Sequence, residues 1–141
     1  MTSRGRVLFL FLIITTTLAT AQQAQPAPPD WAQRQFNAPA DRVYAAALKS
    51  IQQQKHEIKK TDETAHSVEF HVGLTAWSWG YNMVLTVTPV DGEHSKVLTG
   101  IKKSGGDVFS WGSGKKEVNK IYGGIAAELA GQPNPHRKTK D

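Results

Sequence analysis

The chain has 141 residues, of which 39% are hydrophobic and 21% charged, with a formal charge of +5 and no cysteine. That length and composition describe one folded domain rather than a disordered chain. The lack of cysteine excludes a disulfide framework, a cysteine nucleophile, a Cys-ligated zinc or iron–sulfur centre and a lipidated N-terminal cysteine.

Residues 1–21 carry the three parts of a secretory signal in order. Arg4 and Arg6 are the positive region, Val7 to Ile14 the apolar region, and Ala19-Thr20-Ala21 the small-residue cleavage site. The apolar run is 8 residues, well short of the ~20 that span a bilayer. Cleavage after Ala21 is therefore expected, with no transmembrane segment left. It removes Arg4 and Arg6 and no acid, so the charge falls from +5 to +3. Arg137, Lys138 and Lys140 against Asp141 put +2 of this on the tail, and the body is nearly neutral. A nucleic-acid binder needs clustered cations to displace counterions, so that class is set aside. The remaining expectation is an exported protein, periplasmic or secreted.

Residues 22–30 (QQAQPAPPD) read as a Pro/Gln-rich linker. The folded body is expected over 31–131 and a basic, solvated, disordered tail over 132–141. Gln33 to Asn37 is an extended candidate with Phe36 facing inward. Ala38-Pro39-Ala40-Asp41 opens a helix, since proline suits the first turn and Asp41 favours the positive helix end. Val43, Tyr44, Ala47 and Ile51 form one stripe, and the helix fades near Gln54. His56 to Lys60 predicts a weak strand around Ile58, turning at Thr61-Asp62-Glu63.

His66 to Gly73 alternates, with Val68, Phe70 and Val72 on one face and Ser67, Glu69 and His71 on the other. Tyr81 to Val90 predicts a longer strand with Met83, Leu85 and Val87 inward and Pro89 near its end, because proline cannot donate in a ladder. Asp91-Gly92 signals a hairpin. Ser95 to Lys103 returns, and Ser104-Gly105-Gly106 closes it. A last helix from Ser113 or Gly114 to Ala130 has Val118, Ile121, Tyr122, Ile125 and Leu129 within one stripe. Gly123-Gly124 falls off that stripe and weakens the helix by roughly 1 kcal/mol per glycine. Gly131 stops it.

The order is strand, helix, four antiparallel strands, helix. It predicts an α+β domain: one sheet with both helices covering its apolar face. The stretch Phe36 to Ala47, the strand ending Thr-Val-Thr-Pro-Val-Asp-Gly and the segment Trp111-Gly-Ser-Gly-Lys-Lys resemble small exported bacterial domains of unknown function. The element order resembles helix-grip, TATA-box-binding-protein-like domains, including those of BamC-type lipoproteins that assist outer-membrane barrel assembly. The opening also resembles ligand-carrying START-type domains, which are longer. The resemblance implies an accessory role in the cell envelope, and a sheet–helix cleft able to hold a small lipid.

Three groupings of residues bear on chemistry. Glu69 and His71 share a strand face two residues apart, where a carboxylate could orient an imidazole for base chemistry; a solvent-facing strand pair is the plainer reading. His66 and His71 have opposite parity and no H-E-x-x-H spacing occurs, so neither a metal site nor a cofactor is expected. Gly112-Ser113-Gly114-Lys115 suggests a phosphate loop, but Phe109 stands where that motif needs glycine.

Ser-Trp-Gly occurs twice, at 78–80 and 110–112. With Trp77, Tyr81 and Phe109 beside Trp79 and Trp111, five aromatics fall in two loop-flanking segments. They read either as a seal at the end of the sheet or as a platform for a ligand or partner. The functional expectation is an exported, non-enzymatic binding or accessory module contacting an envelope protein or an apolar ligand. A small-lipid carrier and an enzyme using Glu69 and His71 are the alternatives.

Overall fold

Alternating side chains along three consecutive strands build a sheet with one greasy face, and two striped helices cover it. In a computed structural model the chain is described over residues 27–73, 80–102, 109–110 (backbone) and 114–138. Residues 1–21, where a signal is expected, most of the expected linker, Ser104-Gly105-Gly106 and the tail end 139–141 lie outside the described residues.

The elements are β1 (Gln33–Phe36), α1 (Ala40–Gln53), β2 (Glu57–Asp62), β3 (Ser67–Val72), β4 (Tyr81–Pro89), β5 (Ser95–Lys102), β6 (Phe109–Ser110) and α2 (Lys115–Leu129), with a 3₁₀ turn at Asp30–Ala32. All strand pairs are antiparallel, in the order β1-β5-β4-β3-β2. The fold is α+β, with both helices on one face, as the pattern predicts. One strand is additional: β6 pairs β5 through Ile101↔Ser110 and Lys102↔Phe109, along the edge that β1 occupies further down. Two residues are too short for a period to register.

The inward faces meet in register: Val68↔Leu85, Phe70↔Met83, Leu85↔Thr99 and Val87↔Val97. Val68, Phe70, Met83, Leu85 and Val97 have no accessible surface. Against them pack Val43, Ala47 and Ile51 of α1 and Val118, Ile121, Tyr122 and Ile125 of α2. Burying such side chains contributes about 1.5–3 kcal/mol each. Tyr122 ties the layers together. Its hydroxyl donates to Ala32 O at 2.7 Å and lies 3.1 Å from Thr99 Oγ1. Phe36 meets its ring edge-on, and the Arg34 guanidinium lies 5.6 Å from the ring centre. Burial pushes the Tyr122 phenol up to about 12, outweighing the lowering by Thr99 and Arg34.

Several boundaries differ from the expectation for physical reasons. β2 extends to Asp62 because Asp62 pairs Ser67, and it carries a bulge between Ile58 and Lys60. Asp62 also accepts the Ala65 N–H at 2.9 Å, which holds the β2–β3 turn. At the β4–β5 turn, Asp91 Oδ1 accepts the amides of Glu93 and His94, both at 2.8 Å. The Asp91 carboxyl is held below its ordinary range mainly by the Glu93 amide, with His94 adding to it. Pro89 closes β4, where its missing donor costs nothing to the ladder.

The glycines of α2 need correcting. Gly124 is buried, not idle off the stripe. A Cβ there would overlap Ser50 Oγ and come within 2.7 Å of Asn134 Nδ2. The helix buries a second face against α1, and only a missing side chain lets Ser50 approach. Leu129, at the end of the stripe, is only partly buried.

Candidate functional site

The aromatic segments attach at one end of the sheet. Val72 pairs Tyr81 there, bringing the two sides of the β3–β4 connection together. Met83 pairs Ile101, and Lys102 pairs Phe109, so β5 and β6 reach the same end. Gly114, just before α2, is buried, and a Cβ on it would sit 3.2 Å from Met83 Cε and 3.3 Å from Ile101 Cδ1. The residues flanking both Ser-Trp-Gly segments therefore gather over one edge of the core. Trp77, Trp79 and Trp111 themselves lie outside the described residues, and so do the side chain of Phe109 and the glycine-serine turn at 112–113. Tyr81 is described: it is half-buried and packs on the core under the helices. Burial raises its phenol above the ordinary value, and the nearby Glu117 carboxylate adds to this.

The opposite face of the sheet carries Glu69 and His71, placed there by the strict alternation of β3. Their relation differs from a direct carboxylate–imidazole pair. Asn82, opposite His71 on β4, stands between them. His71 Nδ1–H donates to Asn82 Oδ1 at 2.9 Å, and Asn82 Nδ2 donates to Glu69 Oε1 at 3.4 Å. Lys102 Nζ of β5 donates to Glu69 Oε2 at 2.7 Å. A chain of polar groups thus crosses three strands. It makes Nδ1 the donor and turns Nε2 to the other side of the ring. That nitrogen lies against Gly80, whose φ is +81°. A Cβ on Gly80 would stand 2.6 Å from His71 Nε2 and from Val72 O. Glycine is required twice over, for the left-handed backbone and for the close approach.

Nothing in the spacing of Glu69 and His71 reveals Asn82. Its partnership depends on the β3–β4 register, in which His71 pairs Asn82. Chemically, the network holds the imidazole in one orientation on the sheet face away from the helices. A base of this kind needs a substrate-sized hollow beside it. Two open grooves lie elsewhere on the described surface, one of about 370 Å³ beside Lys49, Glu128 and Arg137, and one of about 420 Å³ beside Pro39, Arg42 and His94.

The other histidines are dispersed. His66 Nε2 meets Asp41 Oδ1 at 2.7 Å at the start of α1. His94 Nδ1 meets Asp91 Oδ1 at 2.8 Å within the β4–β5 turn. His136 lies against Gly123. His56 is buried at the α1–β2 corner, just before β2, where the sequence pattern predicts the strand to begin. Among the described residues no three His, Cys, Asp or Glu side chains converge to hold a metal ion. None of the described helices is long and apolar enough to cross a membrane.

No family model matches this chain, and neither does any curated protein.

Proposed function

We propose that the protein is an exported, non-enzymatic binding module of the cell envelope, whose partner surface is the sheet end bearing Trp77, Trp79, Tyr81, Phe109 and Trp111. One observation carries this reading over a lipid carrier. Val43, Ile51, Phe70, Leu85, Ile121 and Ile125 have no accessible surface. A side chain lining a water-sized void would keep some, so the middle of the sheet–helix interface has no room for an acyl chain. The enzyme reading is disfavoured because His71 is served by an amide, and its free nitrogen faces a glycine turn. Aromatic side chains are suited to bind a protein, since they offer large contact area at little entropic cost.

The test is site-specific photo-crosslinking in the envelope, with the probe at Trp79, Trp111 or, as a control, Lys49. The expected result is one protein adduct of constant size from 79 and 111 and none from 49. Native mass spectrometry should show the chain from Gln22 onward without a bound lipid. A stoichiometric lipid mass, with no adduct from either tryptophan position, would overturn the reading in favour of a carrier.

A further inference from the structure

The two ends of the sheet differ in charge. At one end the β2–β3 turn closes on Asp62↔Ser67 and the β4–β5 turn on Pro89↔Ser95. The start of α1 joins them, because Asp41 meets His66 there. Asp41, Asp62, Glu63, Asp91 and Glu93 stand in and beside these turns, with Arg42 and Lys96 as the cations among them. Asp41 and Asp91 each hold a histidine, at 2.7 and 2.8 Å.

The other end is where Val72 pairs Tyr81 and where Gly114 lets α2 start close against Met83 and Ile101. The α1–β2 corner meets the first turn of α2 there, with His56 Nε2 3.5 Å from Glu117 Oε2. Lys55, Lys59, Lys102, Lys115, Lys116 and Lys120 gather at this end. Its glutamates already hold lysines: Glu57 takes Lys59 at 2.6 Å, Glu69 takes Lys102 at 2.7 Å and Glu117 takes Lys120 at 2.8 Å. Lys115 and Lys116 are exposed, and among the described residues no carboxylate pairs with either. They stand in the first turn of α2, at the positive end of its dipole, where cations are disfavoured. That placement weakens the helix, and nothing among the described residues compensates it.

We infer that this lysine end docks on an anionic phospholipid surface, with the acidic turns facing away from it. The separation of charge fixes the orientation, because an anionic leaflet attracts one end and repels the other. The kind of cation selects the partner. Every cation named at this end is a lysine, a hydrated point charge on a flexible stem, whereas specific carboxylate recognition uses the planar fork of arginine. Lysine is also depleted in protein–protein interfaces. Lysines spread over α2, β5 and the α1–β2 corner therefore suit a diffuse layer of headgroup phosphates. The acidic end of a second copy is a poorer match, since Asp41 and Asp91 are already engaged by His66 and His94. Docking of this kind rests on lysines and not on the tryptophans, and it stands whether or not a protein binds at the same end.

The test is co-sedimentation of the chain from Gln22 onward with vesicles of pure phosphatidylcholine, and with vesicles in which one-third of it is replaced by phosphatidylglycerol. Binding is expected only to the anionic vesicles, at about 50 mM salt, and should be largely lost at about 500 mM, where screening shortens the reach of the charges. Each lysine near an anionic surface strengthens binding roughly fivefold. Lys115→Gln with Lys116→Gln should therefore weaken it about 25-fold. Arg42→Gln with Lys96→Gln makes the same change in net charge at the acidic end and should leave binding within about twofold. All four side chains are exposed, so neither pair disturbs the core. Equal weakening by the two pairs would mean a response to net charge alone and would overturn the oriented docking. Equal binding to both kinds of vesicle, or none to the anionic kind at about 50 mM salt, would overturn it outright. Salt-sensitive association of the chain with itself, lost with Lys115→Gln and Lys116→Gln and unaccompanied by vesicle binding, would overturn it in favour of a second copy.

Discussion

Two adjacent glycines of α2 should respond to the same substitution with opposite signs. In a helix interior, glycine to alanine stabilises by about 1 kcal/mol through backbone entropy alone. At Gly123 the added methyl would sit 3.2 Å from the His136 ring, which is exposed and lies in the segment after α2, so the neighbour can move. Gly123→Ala should therefore be neutral to stabilising by up to about 1 kcal/mol. At Gly124 the methyl would overlap Ser50 Oγ and stand 3.0 Å from Ser50 Cβ. Ser50 cannot move aside freely. It is 1% exposed, its hydroxyl donates to Ile121 O at 3.0 Å, and it accepts from Gln54 Nε2 at 3.1 Å. Overpacking costs about 1–3 kcal/mol, and a displaced buried hydroxyl costs about 1–3 more. Set against the entropic gain, Gly124→Ala should destabilise by about 1–5 kcal/mol. Urea unfolding of both variants measures this, and a double-mutant cycle with Ser50→Gly should return a favourable coupling of about 1 kcal/mol or more. A Gly124→Ala chain as stable as the parent would show that α1 and α2 do not meet at Ser50, and the account of their packing would fail.

Other outcomes follow from burial and hydrogen bonding. Ile125→Ala should cost about 2–5 kcal/mol, and Leu129→Ala clearly less because Leu129 is only partly buried; thermal melts showing equal losses would contradict the packing of the last turn. Tyr122→Phe strips the donor from Ala32 O while keeping the ring, and should cost about 1–3 kcal/mol in urea unfolding. His56 has a folded-state pKa lowered from 6.5, so its contribution to stability is fully present above about that pH. It is lost as pH falls from there towards the folded pKa, where the unfolded chain binds the proton first. The slope is at most about 1.4 kcal/mol per pH unit, and His56→Gln should flatten it in urea midpoints taken from pH 7 to 5.

Much of this fold was legible as pattern. Val68, Phe70 and Val72 announce a strand face because β side chains alternate, and Val118, Ile121, Tyr122 and Ile125 announce a helix face because 3.6 residues make a turn. Pro89 marks a strand end and Gly131 a helix stop for equally local reasons. These features depend on neighbours along the chain, so the amino-acid sequence by itself determined them, along with the α+β order. The rest was decided by contacts between residues far apart. Gly124 looked like a weakness until Ser50, from the other helix, was set against it. Asn82 entered the Glu69–His71 pair only through the β3–β4 register. His56 opens a weak strand by pattern, yet Phe70 of β3 and Glu117 of α2 close on it from two other segments. A chain pattern shows which side of an element is apolar; which polar group ends up opposite another is set by register and by how the helices cross, and those are properties of the assembled layers.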